Sequence, residues 1–259
     1  MIKIVDLHKS FGENSVLSGV NLEIKDRETL TIIGGSGCGK SVLIKHIVGL
    51  LKPESGNIFI DETEITGLNE KLLSEVQKNF GFLFQGAALF DSLTVGDNVA
   101  FGLRNLTDKS EDEISKKVKK CLSMIGLEGI EQMKPSELSG GMKKRVALAR
   151  AIATDPKYIF YDEPTTGIDP IMADVINDLI IHLQKSLDIT SIVVTHDMTS
   201  AYKISNRIAM LYDGKIIGTG TPDEIKKTEN PYIKQFTTGS SVGPIKMKVK
   251  AHGTDTESR

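Results

Sequence analysis

Glu28-Thr-Leu-Thr-Ile-Ile33 leads straight into Gly34-Gly-Ser-Gly-Cys-Gly-Lys-Ser41, and Val42-Leu-Ile-Lys-His-Ile-Val-Gly-Leu50 follows. The first run is apolar and β-branched, which reads as a buried strand. Residues 41–50 carry apolar side chains at helical spacing. The loop between them fits G-x-x-x-x-G-K-[ST], and a strand before with a helix after is the context that gives the pattern meaning. An α/β nucleotide-binding core follows from that order. The glycines let backbone amides converge on phosphate oxygens. Lys40 brings positive charge to the β- and γ-phosphates, and the Ser41 hydroxyl is placed to ligate Mg²⁺. Gly34, Gly35, Ser36, Gly37, Cys38, Gly39, Lys40, Ser41 and Val42 form the candidate nucleotide-binding segment.

Further along, Tyr158-Ile-Phe-Tyr-Asp162-Glu163 is an apolar strand ending in two carboxylates. Alone it would equally suit a strand that stops in an acidic turn. Beside a phosphate loop, Asp162 is placed to hold magnesium through its water shell, and Glu163 to polarise an attacking water. A third element, Ser139-Gly140-Gly141, opens an apolar-periodic helix. Ser139 is a good N-cap, and the two glycines permit close approach of a ligand. The free amides and the positive dipole end suit a phosphate. Two phosphate-binding helix starts so far apart in sequence point to one nucleotide site made from two subunits.

Composition sets limits. A chain of 259 residues supports one large domain, or one with a subdomain. The formal net charge of -2 excludes bulk nucleic-acid binding. Two cysteines, Cys38 and Cys121, suit a reducing compartment rather than a disulfide scaffold. The opening residues alternate as a strand and not as a signal peptide, and no apolar run is long enough to cross a bilayer. Action at a membrane would need a partner to hold the chain there.

Alternation and turn residues predict strands over 2–7, 19–24, 28–33, 57–60 and 80–84. Strands are also predicted over 158–161, 190–194 and 207–211, with helices over 110–125, 140–153 and 170–185. The order is an α/β core interrupted by a mostly helical insert, roughly residues 86–155. From about Thr237 the composition becomes that of a linker, so residues 237–259 read as a tail that is disordered or partner-binding.

Taken together, these motifs resemble those of ATP-binding cassette (ABC) ATPases over about residues 1–235. The resemblance implies a P-loop NTPase with a RecA-like core, an antiparallel β subdomain and a helical subdomain, spanning residues 1–236. It also adds residues that patterning alone does not assign. Gln85, after Phe80-Gly-Phe-Leu-Phe84, matches the family's glutamine loop and would contact magnesium or the water. Thr166-Gly-Ile-Asp169 resembles the D-loop, where Asp169 would cross a dimer interface while also capping the next helix. His196, after Ile192-Val-Val-Thr195, matches the switch histidine. Phe11 stands where the family stacks an aromatic on adenine; core packing is its alternative. The implied catalytic set is Lys40, Gln85, Glu163 and His196, with magnesium at Ser41, Gln85 and Asp162. Two copies would sandwich two ATP molecules, each between the 34–41 loop of one and the Ser139-Gly140-Gly141 turn of the other.

Departures narrow the resemblance. Met142 stands where most such signatures place glutamine. Leu138-Ser-Gly-Gly-Met-Lys-Lys-Arg-Val-Ala-Leu-Ala-Arg-Ala151 is similar to the ATPases of Mla/Mce-type lipid transporters. So are Phe84-Gln-Gly-Ala-Ala-Leu-Phe-Asp-Ser-Leu-Thr-Val-Gly-Asp-Asn-Val99 and Asp162-Glu-Pro-Thr-Thr-Gly-Ile-Asp-Pro170. That resemblance implies phospholipid movement between inner and outer membranes. It implies a homodimer bound to an integral-membrane permease, with an Mce-domain lipid-binding protein in the complex, no nucleic acid, and a peripheral place on the cytoplasmic face. The rival is an importer ATPase for amino acids or other small solutes; a soluble, non-transport ABC ATPase is a further alternative.

Four smaller features complete the expectations. Phe90 and Leu93 either line a groove for a permease helix or belong to the core. Lys116, Lys117, Lys119 and Lys120 suit a solvated helix face, with anionic lipid as the alternative. Cys38, near a helix start and Lys40, is expected to favour the thiolate. Ile245-Lys-Met-Lys-Val-Lys250 alternates as a strand that could add to a partner's sheet edge.

Overall fold

The computed structural model describes residues 1–246. Along the chain run β1 (Ile2–Phe11), β2 (Asn14–Ile24), β3 (Thr29–Ile33), α1 (Lys40–Ile47), β4 (Ser55–Ile60), β5 (Thr63–Glu64), α2 (Glu70–Gln77) and β6 (Phe80–Leu83). Next come α3 (Val95–Leu106), α4 (Glu111–Met124), a 3-10 turn at Pro135–Glu137, α5 (Gly140–Ile152), β7 (Tyr158–Asp162) and α6 (Pro170–Ser186). The remainder is β8 (Thr190–Thr195), α7 (Met198–Ile204), β9 (Arg207–Tyr212), β10 (Lys215–Gly220), α8 (Pro222–Lys226) and α9 (Pro231–Thr238).

Two sheets organise these elements. One is antiparallel, in the order β2-β1-β4-β5; the other is six-stranded, in the order β10-β9-β3-β8-β7-β6. In the second, β9, β3, β8, β7 and β6 are mutually parallel, and β10 joins antiparallel at the edge. Parallel strands covered on both faces read as continuous apolar runs. Along β7, Tyr158 and Phe160 enter the core shared with β1, β2 and α1, while Ile159 and Tyr161 enter the core shared with α3, α4, α5 and α6. All four residues are fully buried. The sheet is therefore clamped between the antiparallel sheet with α1 on one side and the helical layer on the other.

Two expectations change. The first strands are longer than alternation indicated. Bulges after Ile4, Leu7 and Lys9 break the period of two, yet the β1–β2 ladder continues to Phe11 opposite Asn14. Phe11 thus stands at a hairpin end. The linker composition after Thr237 also misleads, because α9 runs to Thr238 and the next residues are fastened to it. The Gln235 amide accepts from the Ile245 amide (2.7 Å) and donates to the carbonyls of Ser240 (3.3 Å) and Ile245 (3.2 Å). Gly243 packs so closely on Gln235 that a Cβ would fall 2.4 Å from its amide carbon. The alternating segment beyond Lys246 lies outside the described residues.

Candidate active site

Register brings the site together. Ile33 pairs with Thr195, Asp162 with Val194, and Leu83 with Tyr161. β3, β8, β7 and β6 therefore end at one edge of the sheet, and Gly34, His196, Glu163 and Gln85 leave from it side by side. Open α/β sheets form their ligand crevices at such carboxyl ends. Here the crevice is a cleft of about 680 Å³. Of the residues expected from the sequence, Phe11, Gly35, Ser36, Gly37, Gly39, Lys40, Ser41, Val42, Gln85, Glu163 and His196 line it. Val16 and Phe236 line it as well, and the sequence alone assigns neither to the site.

The loop's geometry follows from its glycines. Gly34 lies against Leu211, where a Cβ would meet the carbonyl oxygen at 2.4 Å. Gly39 has φ 103° and leaves no room beside Val16, whose Cγ1 would be 2.9 Å from a Cβ. Each of α2 to α9 begins with an Asn, Thr, Ser or Asp whose side chain accepts a first-turn amide. α1 has no such cap. Its first-turn amides are left to an anion, as a phosphate-binding helix start requires.

Polar side chains converge at the inner end of the cleft. Lys40 Nζ donates to the carbonyls of Gly34 (2.8 Å) and Gly35 (3.1 Å) and lies 3.9 Å from Glu163 Oε1. Ser41 Oγ donates to Asp162 Oδ1 at 3.0 Å. Burial raises the Asp162 pKa, opposed by the Ser41 hydrogen bond and the charge of Lys40. Glu163 is buried and adopts φ 51°, a left-handed conformation costing about 1–3 kcal/mol in a non-glycine residue. Its amide is tied to Val194 O (2.9 Å), which holds the strained turn. Its carboxylate accepts from Thr166 Oγ1 (3.1 Å) and Thr195 Oγ1 (3.4 Å), and His196 Nδ1 lies 3.0 Å from Oε1 and 2.9 Å from Oε2. Thr166 and Thr195 are additions that spacing alone did not single out.

Ser41, Asp162 and Gln85 supply the hard oxygen donors that suit Mg²⁺, which is bound through one or two carboxylates together with substrate phosphates. Among the described residues there is no cluster of three or more His, Cys, Asp or Glu that would hold a metal unaided. Ser41 Oγ and Asp162 Oδ1, 3.0 Å apart, are a donor set that fits magnesium held together with nucleotide phosphates.

Cys38 corrects an expectation. Burial pushes its thiol above the ordinary value, and Lys40 with the neighbouring amides offsets that only in part. Cys121, deeper in the helical layer, is pushed up to about 11. Neither cysteine is set up as a thiolate, because desolvation outweighs the nearby positive charge.

Ser139, Gly140, Gly141 and Asp169 do not line the cleft of their own chain. Ser139 and Gly140 are exposed at the start of α5, where the Ser139 hydroxyl accepts from Met142 N (3.3 Å). Asp169 caps α6 by accepting from Met172 N (3.0 Å), and the Met172 side chain packs on Gly141. The two turns thus share Met172 and face solvent together.

A phosphate loop, a carboxylate pair on a parallel strand and a histidine on the strand between them define a nucleotide-hydrolysing P-loop ATPase. Comparison with known proteins takes this further: the chain belongs to the ABC transporter family, whose pattern matches residues 17–166. It is 41% identical to the Haemophilus influenzae intermembrane phospholipid transport system ATP-binding protein MlaF, covering 97% of this chain and 95% of that one. It is 40% identical to the probable ribonucleotide transport ATP-binding protein mkl of Mycobacterium leprae, over 95% of this chain and 71% of that one. A solved ATP-binding cassette, dimeric and bound to ADP and Pi in a post-hydrolysis state, superposes with a TM-score of 0.79 at 35% identity, covering 86% of this chain and 99% of that one. The chain is thus an ATP-binding, ATP-hydrolysing cassette. None of its described helices is long and apolar enough to cross a membrane.

Proposed function

We propose that this cassette energises phospholipid transport between membranes, working as a homodimer on the cytoplasmic face of an integral-membrane permease of Mla/Mce type. An Mce-domain lipid-binding protein would complete the complex. The observation that carries the cargo is the 41% identity to a phospholipid-transport ATPase across nearly the whole of both chains. The mycobacterial relative's name offers a ribonucleotide as the rival cargo, on a protein of which this chain spans 71%.

The chemistry is assigned to this chain's own groups. Phe11 and Val42 flank the nucleotide in the cleft, and the 34–41 loop takes its phosphates. Lys40 offsets charge gathering on the γ-phosphoryl group. Ser41, Asp162 and Gln85 would hold Mg²⁺, which supplies further charge neutralisation when bound. Glu163 accepts the proton of the attacking water, and His196, against the Glu163 carboxylate, orients it. Ser139, Gly140 and Asp169 complete the site of the second copy, since they face outward from their own. ATP then favours the closed dimer by contacts that hydrolysis removes, and this differential affinity drives the permease between states.

The exposed aromatic residues that follow Gln85 in the chain suit contact with the permease. Phe84, Phe90 and Phe101 are exposed, Leu93 is half-buried, and Phe90 leans on Phe101 at 4.7 Å between ring centres. Asn98 holds Phe90 in place through its amide (2.8 Å) and carbonyl (3.1 Å).

Glu163→Gln is expected to bind ATP normally and to lower turnover at least about 100-fold, the scale of a lost general base. The tagged variant, purified with its membrane partners, is expected to carry phospholipid detectable by mass spectrometry. Near-normal turnover would remove Glu163 from the mechanism. Recovery of a solute-binding protein and no lipid would replace the cargo.

A further inference from the structure

We propose that Lys144 is a positioning residue that makes the signature turn, the Gln85 loop and the Glu163 turn move as one piece. It thereby links the two nucleotide sites of the dimer. The inference rests on the roles given above to Gln85, Glu163 and Ser139.

Lys144 stands on α5 between one and two helical turns beyond Ser139, and it is 5% exposed. Its Nζ donates to the main-chain carbonyl of Gln85 at 2.5 Å and to that of Glu163 at 3.3 Å. These residues belong to different strand ends, and both line the cleft. One ammonium therefore spans the two loops from behind while their side chains face the nucleotide. Among the described residues no carboxylate lies within ion-pair distance of it, although the charges of Glu163 and Asp162 act on it from further off. A buried cation without a direct counter-ion is costly, and burial lowers its pKa accordingly. Had packing been the need, an unbranched apolar side chain would fill the same space without that cost.

A second grip comes from the same helix. Arg150 donates to the carbonyls of Ala87 (2.8 Å) and Ala88 (2.6 Å). Both alanines adopt left-handed conformations, with φ 62° and 48°. Such consecutive strain persists only where the surroundings impose it. α5 thus holds the Gln85 loop at both ends, and through Lys144 it also holds the Glu163 turn.

The consequence concerns the dimer. Ser139 and Gly140 sit at the outward end of α5 and serve the partner's nucleotide, whereas Gln85 and Glu163 serve the chain's own. A rigid α5 with Lys144 as its peg passes the occupancy of one site to the catalytic groups of the other. That meets the requirement for coupling: two sites, and one element whose position both bias.

The test uses the full chain with Lys144→Met, Lys144→Gln and, in parallel, Glu163→Gln. ATP binding is measured by equilibrium titration, and turnover by kcat, KM and the Hill coefficient. Lys144→Met is expected to keep the Kd within about threefold, lower kcat at least about tenfold and bring the Hill coefficient towards one. Lys144→Gln, which still donates to one carbonyl, is expected to recover part of kcat. Unchanged kcat and Hill coefficient in either variant would overturn the proposal. So would a Kd that rises in step with the loss of kcat, which would mark Lys144 as structural. If Lys144→Met does not fold, Lys144→Gln decides by the same criteria, with a threefold loss of kcat as the threshold. Normal turnover by Glu163→Gln would instead sink the site reading itself, whatever Lys144 shows.

Discussion

Gly140 and Gly141 are neighbours with different reasons to be glycine. A Cβ on Gly141 would fall 2.5 Å from Met172 Cγ and 2.8 Å from its sulfur, so that glycine lets α5 meet α6. A Cβ on Gly140 would find Ile168 Cγ2 at 3.9 Å and nothing closer. The fold does not need glycine at Gly140, which is exposed beside Ser139. Close approach of the ligand proposed for this turn would need it. Gly141→Ala is therefore expected to lose about 1–3 kcal/mol by overpacking, read as a lower urea midpoint. Gly140→Ala is expected to keep its midpoint and lose at least about tenfold in kcat, the scale of one lost oxyanion donor. If both variants melt alike and turn over normally, the turn is only a helix start. Much of the site could be read at this scale because Gly34, Gln85, Asp162, Glu163 and His196 stand within two positions of a strand end. Ser41 and Asp162, 3.0 Å apart, each belong to a short pattern.

At the scale of elements, legibility depended on whether burial left a period in the sequence. β7 was plain because both of its faces are buried and its run is unbroken. α3 was hidden by Gly96 and Gly102, which lower helix propensity. Both have structural grounds: a Cβ at Gly96 would meet Glu131 O at 3.1 Å, and one at Gly102 would meet Thr154 Cγ2 at 3.1 Å. α2 buries no residue, so the core left no mark on it. The bulges of β1 hid the hairpin that carries Phe11. The place of Phe236 at the cleft was beyond reach, because α9 packs on β9 and β10 and brings an aromatic there from far along the chain. That placement has a measurable consequence. Phe236→Ala is expected to weaken ATP binding about three- to tenfold, on the scale of one aromatic contact, with kcat at saturation unchanged. A Kd equal to wild type by isothermal titration would show that Phe236 borders the cleft without touching the nucleotide.

For the whole molecule, the response to mild acid is assigned to a side chain inside the helix that carries the phosphate loop. His46 is 1% exposed and lies beside Leu51, Pro53, Ile65, Leu68 and Leu73. Nδ1 lies 2.7 Å from Val42 O, so the neutral ring carries its proton there, and Nε2 is buried with no hydrogen-bond partner among the described residues. Burial lowers its pKa below 6.5. A lowered folded-state pKa means that the unfolded chain binds the proton first. Stability is accordingly flat above about pH 6.5 and falls below it, by up to about 1.4 kcal/mol per pH unit, until the folded-state pKa is reached. Asp61 acts in a separate and lower window. Burial would raise its pKa, but hydrogen bonds from Lys157, the terminal amine and Tyr158 bring it down to about 2. Its contribution is present above the ordinary carboxylate value and is lost as pH falls towards 2. Urea unfolding between pH 7.5 and 5 (a range chosen to isolate the histidine) separates the two groups. Wild type is expected to lose stability over the acid half of that range, and His46→Leu to show a flatter profile there. A slope that survives His46→Leu would place the acid sensitivity elsewhere in the fold.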